Sequence, residues 1–156
     1  MKKVILFVSI IGTLVILLTA CGGAPAADDS GVARPSGGGE PGEAINLTGD
    51  PVAGKAIFDA NCPVCHGPDG KGGVENPNSV DGTVPPLNPV EPDLWNSDYQ
   101  TFAYNADLFM EHGSMPDHSD PNVLPPKRMI AWGDSGVLKP QQIADVIAYI
   151  YSLNNK

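Results

Sequence analysis

Residues 62–66 read Cys-Pro-Val-Cys-His, and no other stretch limits so strongly what this chain can fold into. Two thiols three residues apart, followed directly by an imidazole, are the attachment pattern of a c-type haem: the thiols add across the two vinyl groups and the imidazole comes to lie under the iron. A chain built this way wraps its core around the cofactor. Two other chemistries use Cys-x-x-Cys. A thioredoxin-like redox site needs a strand before the motif and a helix after it, whereas here a helical pattern precedes and a Gly-rich loop follows. A zinc knuckle needs a second ligand pair, and with cysteines only at 21, 62 and 65 none is left to supply it. Three clustered cysteines are also too few for a disulfide scaffold.

The start of the chain has a different character. Lys2 and Lys3 precede an apolar run from Val4 to Leu18, which ends in Leu18-Thr19-Ala20-Cys21. The layout is that of a secretory signal, with an apolar core shorter than the roughly 20 residues a spanning helix needs. Its ending resembles a bacterial lipoprotein signal, which implies cleavage after residue 20 and Cys21 as a lipid anchor; a retained transmembrane helix over Val4–Ala20 is the alternative. Residues 22–47, GGAPAADDSGVARPSGGGEPGEAINL, lack an apolar period and read with Cys21 as a flexible tether over 21–47, or else as a strap ordered by a partner. Eighteen acidic against nine basic residues leave a net charge of -9. Such a balance disfavours nucleic acid as a partner. Loss of residues 1–20 would remove two lysines and no acid, so the exported part is more acidic still.

What remains, 48–156, has the length of one domain. Asp50 and Pro51 are a good N-cap and first helical residue, after which Ala53, Ile57 and Ala60 share one face beside Gly54 and Phe58. Pro140 opens a last helix with Ile143, Val146, Ile147, Ile150 and Tyr151 at the spacing of a buried stripe. A shorter helix is expected from Asn105 to Glu111, capped by Asn105 and stopped at Gly113. No stretch alternates like a strand. Eighteen glycines and 16 prolines predict long loops, stiffened at Pro85-Pro86, Pro89, Pro92 and Pro125-Pro126. Trp95, Tyr99, Phe102 and Tyr104 are expected to cover one side of the cofactor.

Taken in order, Gly54-Lys55-Ala56-Ile57-Phe58, Cys62-Pro63-Val64-Cys65-His66-Gly67, Gly70-Lys71-Gly72-Gly73, Pro85-Pro86-Leu87, Met129-Ile130-Ala131-Trp132-Gly133 and Ile143–Ile150 resemble a class I bacterial cytochrome c. The resemblance implies an all-α fold whose first and last helices cross beside one covalent haem c, with Gly54 and Phe58 meeting the Tyr149 region. It implies haem thioethers at Cys62 and Cys65 and His66 as proximal ligand, its ring N–H held by the Pro85 carbonyl. Leu87 and Trp132 would then pack on the haem. For the sixth ligand, Met129 opens Met-Ile-Ala-Trp-Gly, close to the family's Met-Pro-Ala-Trp-Gly, and stands 14 residues before Ile143. Met115, followed by Pro116, is the rival; Met110 reads as core. Ile130 replaces the family's proline, and an insertion lies between Gly113 and Met129. His112 and His118 are the alternative nitrogen ligands.

With His66 and Met129 both on iron, no coordination position stays open, and a thioether ligand raises the potential. Electron transfer is therefore the expected function. The resemblance and the leader together suggest a membrane-tethered carrier on the outer face of the cytoplasmic membrane, working with membrane oxidoreductase subunits and a redox partner protein. Lipoprotein cytochromes of this kind occur as subunits of alternative complex III. A mobile carrier, a haem sensor or enzyme with a labile methionine, and thiol–disulfide exchange at Cys62 and Cys65 are the other readings.

Overall fold

A computed structural model describes residues 38–124 and 126–156 of the chain. The leader over 1–20 and Cys21 lie outside the described residues. Helix α1 spans Pro51–Asn61, and the Asp50 carboxylate accepts the Val52 N–H at 2.8 Å. A single turn, α2, covers Pro63–His66; α3 covers Tyr99–His112 and α4 covers Pro140–Asn154. Among the described residues the remaining pairings are isolated bridges, so the fold is all-α as expected.

Helices α1 and α4 cross with almost nothing between them. A Cβ on Gly54 would sit 1.9 Å from the carbonyl oxygen of Asp145 and 3.0 Å from the Tyr149 Cβ. One turn on, Phe58 is fully buried and meets Tyr149 edge to face, ring centroids 5.2 Å apart. Ile143, Val146 and Ile147 of α4 are equally enclosed. Each such side chain contributes about 1.5–3 kcal/mol by leaving water. Asp145 locks the crossing, since its Oδ1 accepts the Asp50 N–H at 2.9 Å where α1 begins.

Helix α3 starts earlier than its sequence pattern suggested. Asp98, not Asn105, is the cap, accepting both the N–H and the hydroxyl of Thr101. Asn105 lies buried inside the helix, while the stop at Gly113 is as expected, at φ 68°. Trp95, Tyr99 and Phe102 gather around Tyr151 of α4, with centroids 5.1–5.5 Å from it, and so serve to join α3 to α4. Tyr104 faces elsewhere, beside Ile45, Gln100 and Thr101.

Residues 40–47, expected to belong to the tether, are instead a strap on the domain. They include a 3-10 turn at Glu43–Asn46 with Ala44 buried. The Gly42 N–H donates to Asp107 Oδ2. His112 holds the strap more tightly: its Nε2 is 2.8 Å from the Glu40 carbonyl and its Nδ1 is 2.9 Å from Asp134 Oδ2. Both partners only accept, so both ring nitrogens must carry protons, which requires the imidazolium. The Asp134 carboxylate and the Glu40 carbonyl indeed raise the His112 pKa, against its own partial desolvation, with Glu111 adding a smaller pull. Asp107 and Glu43 complete the acidic surroundings of this turn.

Two outcomes follow from this packing. Gly54→Ala should destabilise the fold by about 3 kcal/mol, the upper part of the overpacking range, because backbone rather than a mobile side chain blocks the new methyl; a denaturant midpoint close to wild type would contradict the crossing. A histidine with a raised folded pKa contributes fully below its ordinary value of about 6.5 and loses that contribution as pH rises through the raised one. Hydrogen-exchange protection of the Gly42 amide, referred to the intrinsic rate at each pH, should accordingly fall on raising pH from about 6 to about 9. His112→Asn should abolish that dependence; a protection that does not change with pH in the wild type would show that another contact holds the strap.

Candidate functional site

Helix α1 runs directly into the pentapeptide, since the Cys62 N–H still donates to the Phe58 carbonyl at 2.8 Å. Pro63 then opens α2, where its missing N–H costs nothing. Cys65 and His66 both donate their N–H to the Cys62 carbonyl, at 3.2 and 2.9 Å. One turn therefore presents two thiols and an imidazole, with Val64 between them strongly exposed. Gly67, at φ 74°, ends the turn, and the Gly72 N–H returns to the His66 carbonyl at 2.7 Å.

The His66 ring is fixed from the opposite loop. Its Nδ1 lies 3.0 Å from the Pro85 carbonyl, an oxygen that can only accept, so Nδ1 carries the proton. In the neutral ring Nε2 then holds a lone pair. Burial pushes the His66 pKa down, partly offset by the Pro85 bond, and keeps the ring neutral. The Pro85 loop is in turn secured at both ends. Leu87 and Asn88 donate their N–H to the Gly70 carbonyl at 2.7 and 2.9 Å. Beyond them, Asn154 of α4 donates to the Leu87 carbonyl at 3.0 Å and accepts the Val90 N–H at 2.8 Å.

This donor set fits a covalently held haem. Cys62 and Cys65 are both half-buried and are not joined to each other by a disulfide. Burial pushes the Cys62 pKa up to about 12, which leaves a neutral thiol with little nucleophilicity for disulfide exchange. Redox-active Cys-x-x-Cys sites have the opposite shift. No cluster of three or more His, Cys, Asp or Glu suited to a metal ion occurs among the described residues.

The three candidate methionines, Met110, Met115 and Met129, lie between the middle of α3 and the start of α4. Met110 is buried in the core, and its carbonyl accepts the N–H groups of Trp132 and Gly133 at 2.9 and 3.2 Å. Ser114 and Met129 pair as an antiparallel bridge, exchanging both backbone bonds at 2.8 and 3.3 Å. Met115 follows this bridge directly and is half-buried. Met129 and Trp132 pack against the core cluster, as does Leu87. His112 has both ring nitrogens engaged, Nε2 by Glu40 of the strap and Nδ1 by Asp134, and His118 is exposed, in a backbone bridge to Ser79.

Sequence reasoning missed several residues that shape this site. Asn76, Asn78 and Asn154 each use their amide to hold a loop. The Asn76-Pro77-Asn78 run was a readable turn signal, but not what it would clasp.

A model of the cytochrome c family matches residues 51–154. The chain is 31% identical over 107 residues to the Cbb3-type cytochrome c oxidase subunit CcoP of Azospirillum sp. (strain B510), and equally to that of Azospirillum brasilense. The matched region is 67% of this chain but only 31% of each relative. No solved structure gives a significant match. The helical crossing, the thiol-bearing turn and the match over nearly all the described domain lead to one conclusion: the chain belongs to the cytochrome c family, an electron-transfer protein carrying covalently bound haem c.

Proposed function

We propose that this cytochrome passes single electrons at the outer face of a membrane, as the tethered subunit of a membrane oxidoreductase. Cys62 and Cys65 form the two thioethers, His66 Nε2 is the proximal ligand and Met129 the sixth. Pro85, Leu87 and Trp132 line the pocket. When bound, the haem supplies reversible one-electron chemistry at its iron.

The observation that carries this reading is the Nδ1–H bond of His66 to the Pro85 carbonyl at 3.0 Å. It fixes the tautomer, aims the lone pair of Nε2 and makes the imidazole a stronger donor. Met129 is favoured over Met115 by its packing against the core with Trp132. The remaining pocket residues exclude water, and a thioether in a dry pocket favours the ferrous form.

Cys21 is the lipid anchor in this reading, and residues between it and Glu40 form the leash. Acyl chains contribute about 0.8 kcal/mol per buried methylene, enough to hold an acidic body at a membrane without basic residues. Among the described residues no helix is long and apolar enough to cross a membrane. The complex served is one of the alternative complex III kind. The relatives' name, an oxidase subunit, supports membership in a membrane respiratory assembly of some type over a freely mobile carrier.

Met129→Ala should remove the weak far-red band that a thioether gives to ferric haem, lower the midpoint potential and open the iron to carbon monoxide, with Met115→Ala leaving all three unchanged. The reverse pattern would transfer the ligand to Met115. The wild-type protein should incorporate a labelled fatty acid and Cys21→Ser should not, with its spectrum unaltered; a wild-type protein that takes up no label would rule out the lipid anchor.

A further inference from the structure

Asn76 lies ten residues beyond His66, outside every helix, yet only 2% of it is exposed. Each of its polar groups has a partner. The backbone N–H donates to the Gly82 carbonyl at 2.9 Å, and the carbonyl accepts the N–H of Ser79 at 3.1 Å and its hydroxyl at 2.8 Å. The side chain is spent on a single distant residue. Its Oδ1 accepts the Lys127 N–H at 2.7 Å, and its Nδ2 donates to the Lys127 carbonyl at 3.1 Å. An amide placed this way imitates a strand neighbour and fixes both the position and the rotation of the backbone at 127.

Lys127 stands two residues before Met129. Past it the chain is held again by the Ser114 bridge at Met129 itself. Before it, the inserted stretch is tied by Asn78, whose Nδ2 donates to the carbonyls of Asp120 and Leu124 at 3.0 and 2.8 Å. A loop this long, with no helix or sheet of its own, costs more entropy to hold in one place than the short segment a Met-Pro-Ala-Trp-Gly sequence would provide. Ile130 also leaves the backbone after Met129 freer than proline would. A weak thioether bond to iron needs that freedom removed by something else.

We propose that Asn76 is a positioning residue for the sixth ligand: by clasping Lys127 through both backbone groups, it stands in for the missing proline and holds Met129 over the haem. The proposal rests on Met129 as the ligand. It makes the loop that follows the proximal histidine responsible for the geometry of the distal one. Removal of the clasp should therefore change the iron's ligation while α1, α3 and α4 stay folded, since Asn76 touches none of them through its side chain bonds.

The test uses the full-length, haem-loaded protein, with Met129→Ala and Met115→Ala in the same series. Asn76→Leu deletes both bonds. Asn76→Asp is sharper, because an ionised carboxylate accepts the Lys127 N–H but opposes the Lys127 carbonyl, whereas a protonated carboxyl makes both bonds again. Lys127, whose ammonium donates to the Glu75 carbonyl at 2.8 Å, is kept in both variants. At neutral pH each variant should show loss of most of the far-red thioether band, a lowered potential and carbon monoxide binding at least about tenfold faster, the scale of a supporting ligand contact, with helical circular dichroism retained. Acidification should restore the band in Asn76→Asp, a transition the wild type lacks. An Asn76→Asp protein with wild-type band, potential and carbon monoxide kinetics at every pH would overturn the proposal while leaving Met129 as ligand, if Met129→Ala alone loses the band. Loss of the band in Met115→Ala and not in Met129→Ala would instead overturn the ligand assignment, and the proposal with it.

Discussion

The domain depends on one close contact, the crossing of α1 and α4 at Gly54. Only a residue without a Cβ lets the two backbones meet there, because the Asp145 carbonyl occupies the space a methyl would need. The contact sets the direction in which α1 leaves the crossing, and so where Cys62 emerges. Phe58 and Tyr149 fill the next layer edge to face, a geometry worth about 0.5–1.5 kcal/mol beyond area alone. Asp145 contributes from the same turn of α4 by accepting the first free N–H before α1. The thiol-bearing turn is thus placed by the helix crossing before any cofactor contact is considered.

Away from the helices, amide side chains do the work that strand ladders do in other folds. Roughly half of the domain is loop, and its backbone groups need partners wherever they are buried. Asn76 and Asn78 bind the stretch between Gly113 and Met129 to the loop after His66, while Asn154 binds the Pro85 loop to the end of α4. Each asparagine offers a donor and an acceptor on one planar group, so it can meet an N–H and a C=O together. A serine or threonine hydroxyl also donates and accepts, but through one atom on a short arm, so it does not span the N–H and C=O of one residue as a planar amide does. The cost is sensitivity, since a buried amide that loses one partner carries the full desolvation penalty, about 1–3 kcal/mol.

Much of this was legible in the sequence because the signals were local. Asp50-Pro51 and Pro140 marked the starts of the two crossing helices, and the pentapeptide named its own chemistry. The start of α3 was not legible, since Asn105 and Asp98 are both acceptable caps and only the Trp95–Tyr151 packing draws the helix back to the second. Residues 40–47 failed for another reason. Their glycine, proline and two glutamates suit a solvated leash, but they dock through backbone groups, the Gly42 N–H and the Glu40 carbonyl, which no composition reveals. The aromatic group was recognised as a cluster, but its gathering around Tyr151 of α4 was not, because proximity in sequence says nothing of which helix a ring will face.

The bond from His66 to Pro85 also closes a circuit. From α1 the path runs through the Cys62 turn to the His66 ring, across to the Pro85 carbonyl, along to Leu87, over the Asn154 amide into α4, and back to α1 at Gly54. A closed linkage of rigid members has few soft modes, so if His66 holds the iron as proposed, its ring would have little room to swing or recede when the metal changes charge. Small displacement between oxidation states means a small reorganisation energy, and with it electron exchange that is fast at low driving force. In the proposed reading, the histidine's hydrogen bond would bear on how quickly the protein trades electrons as well as on how it holds its iron.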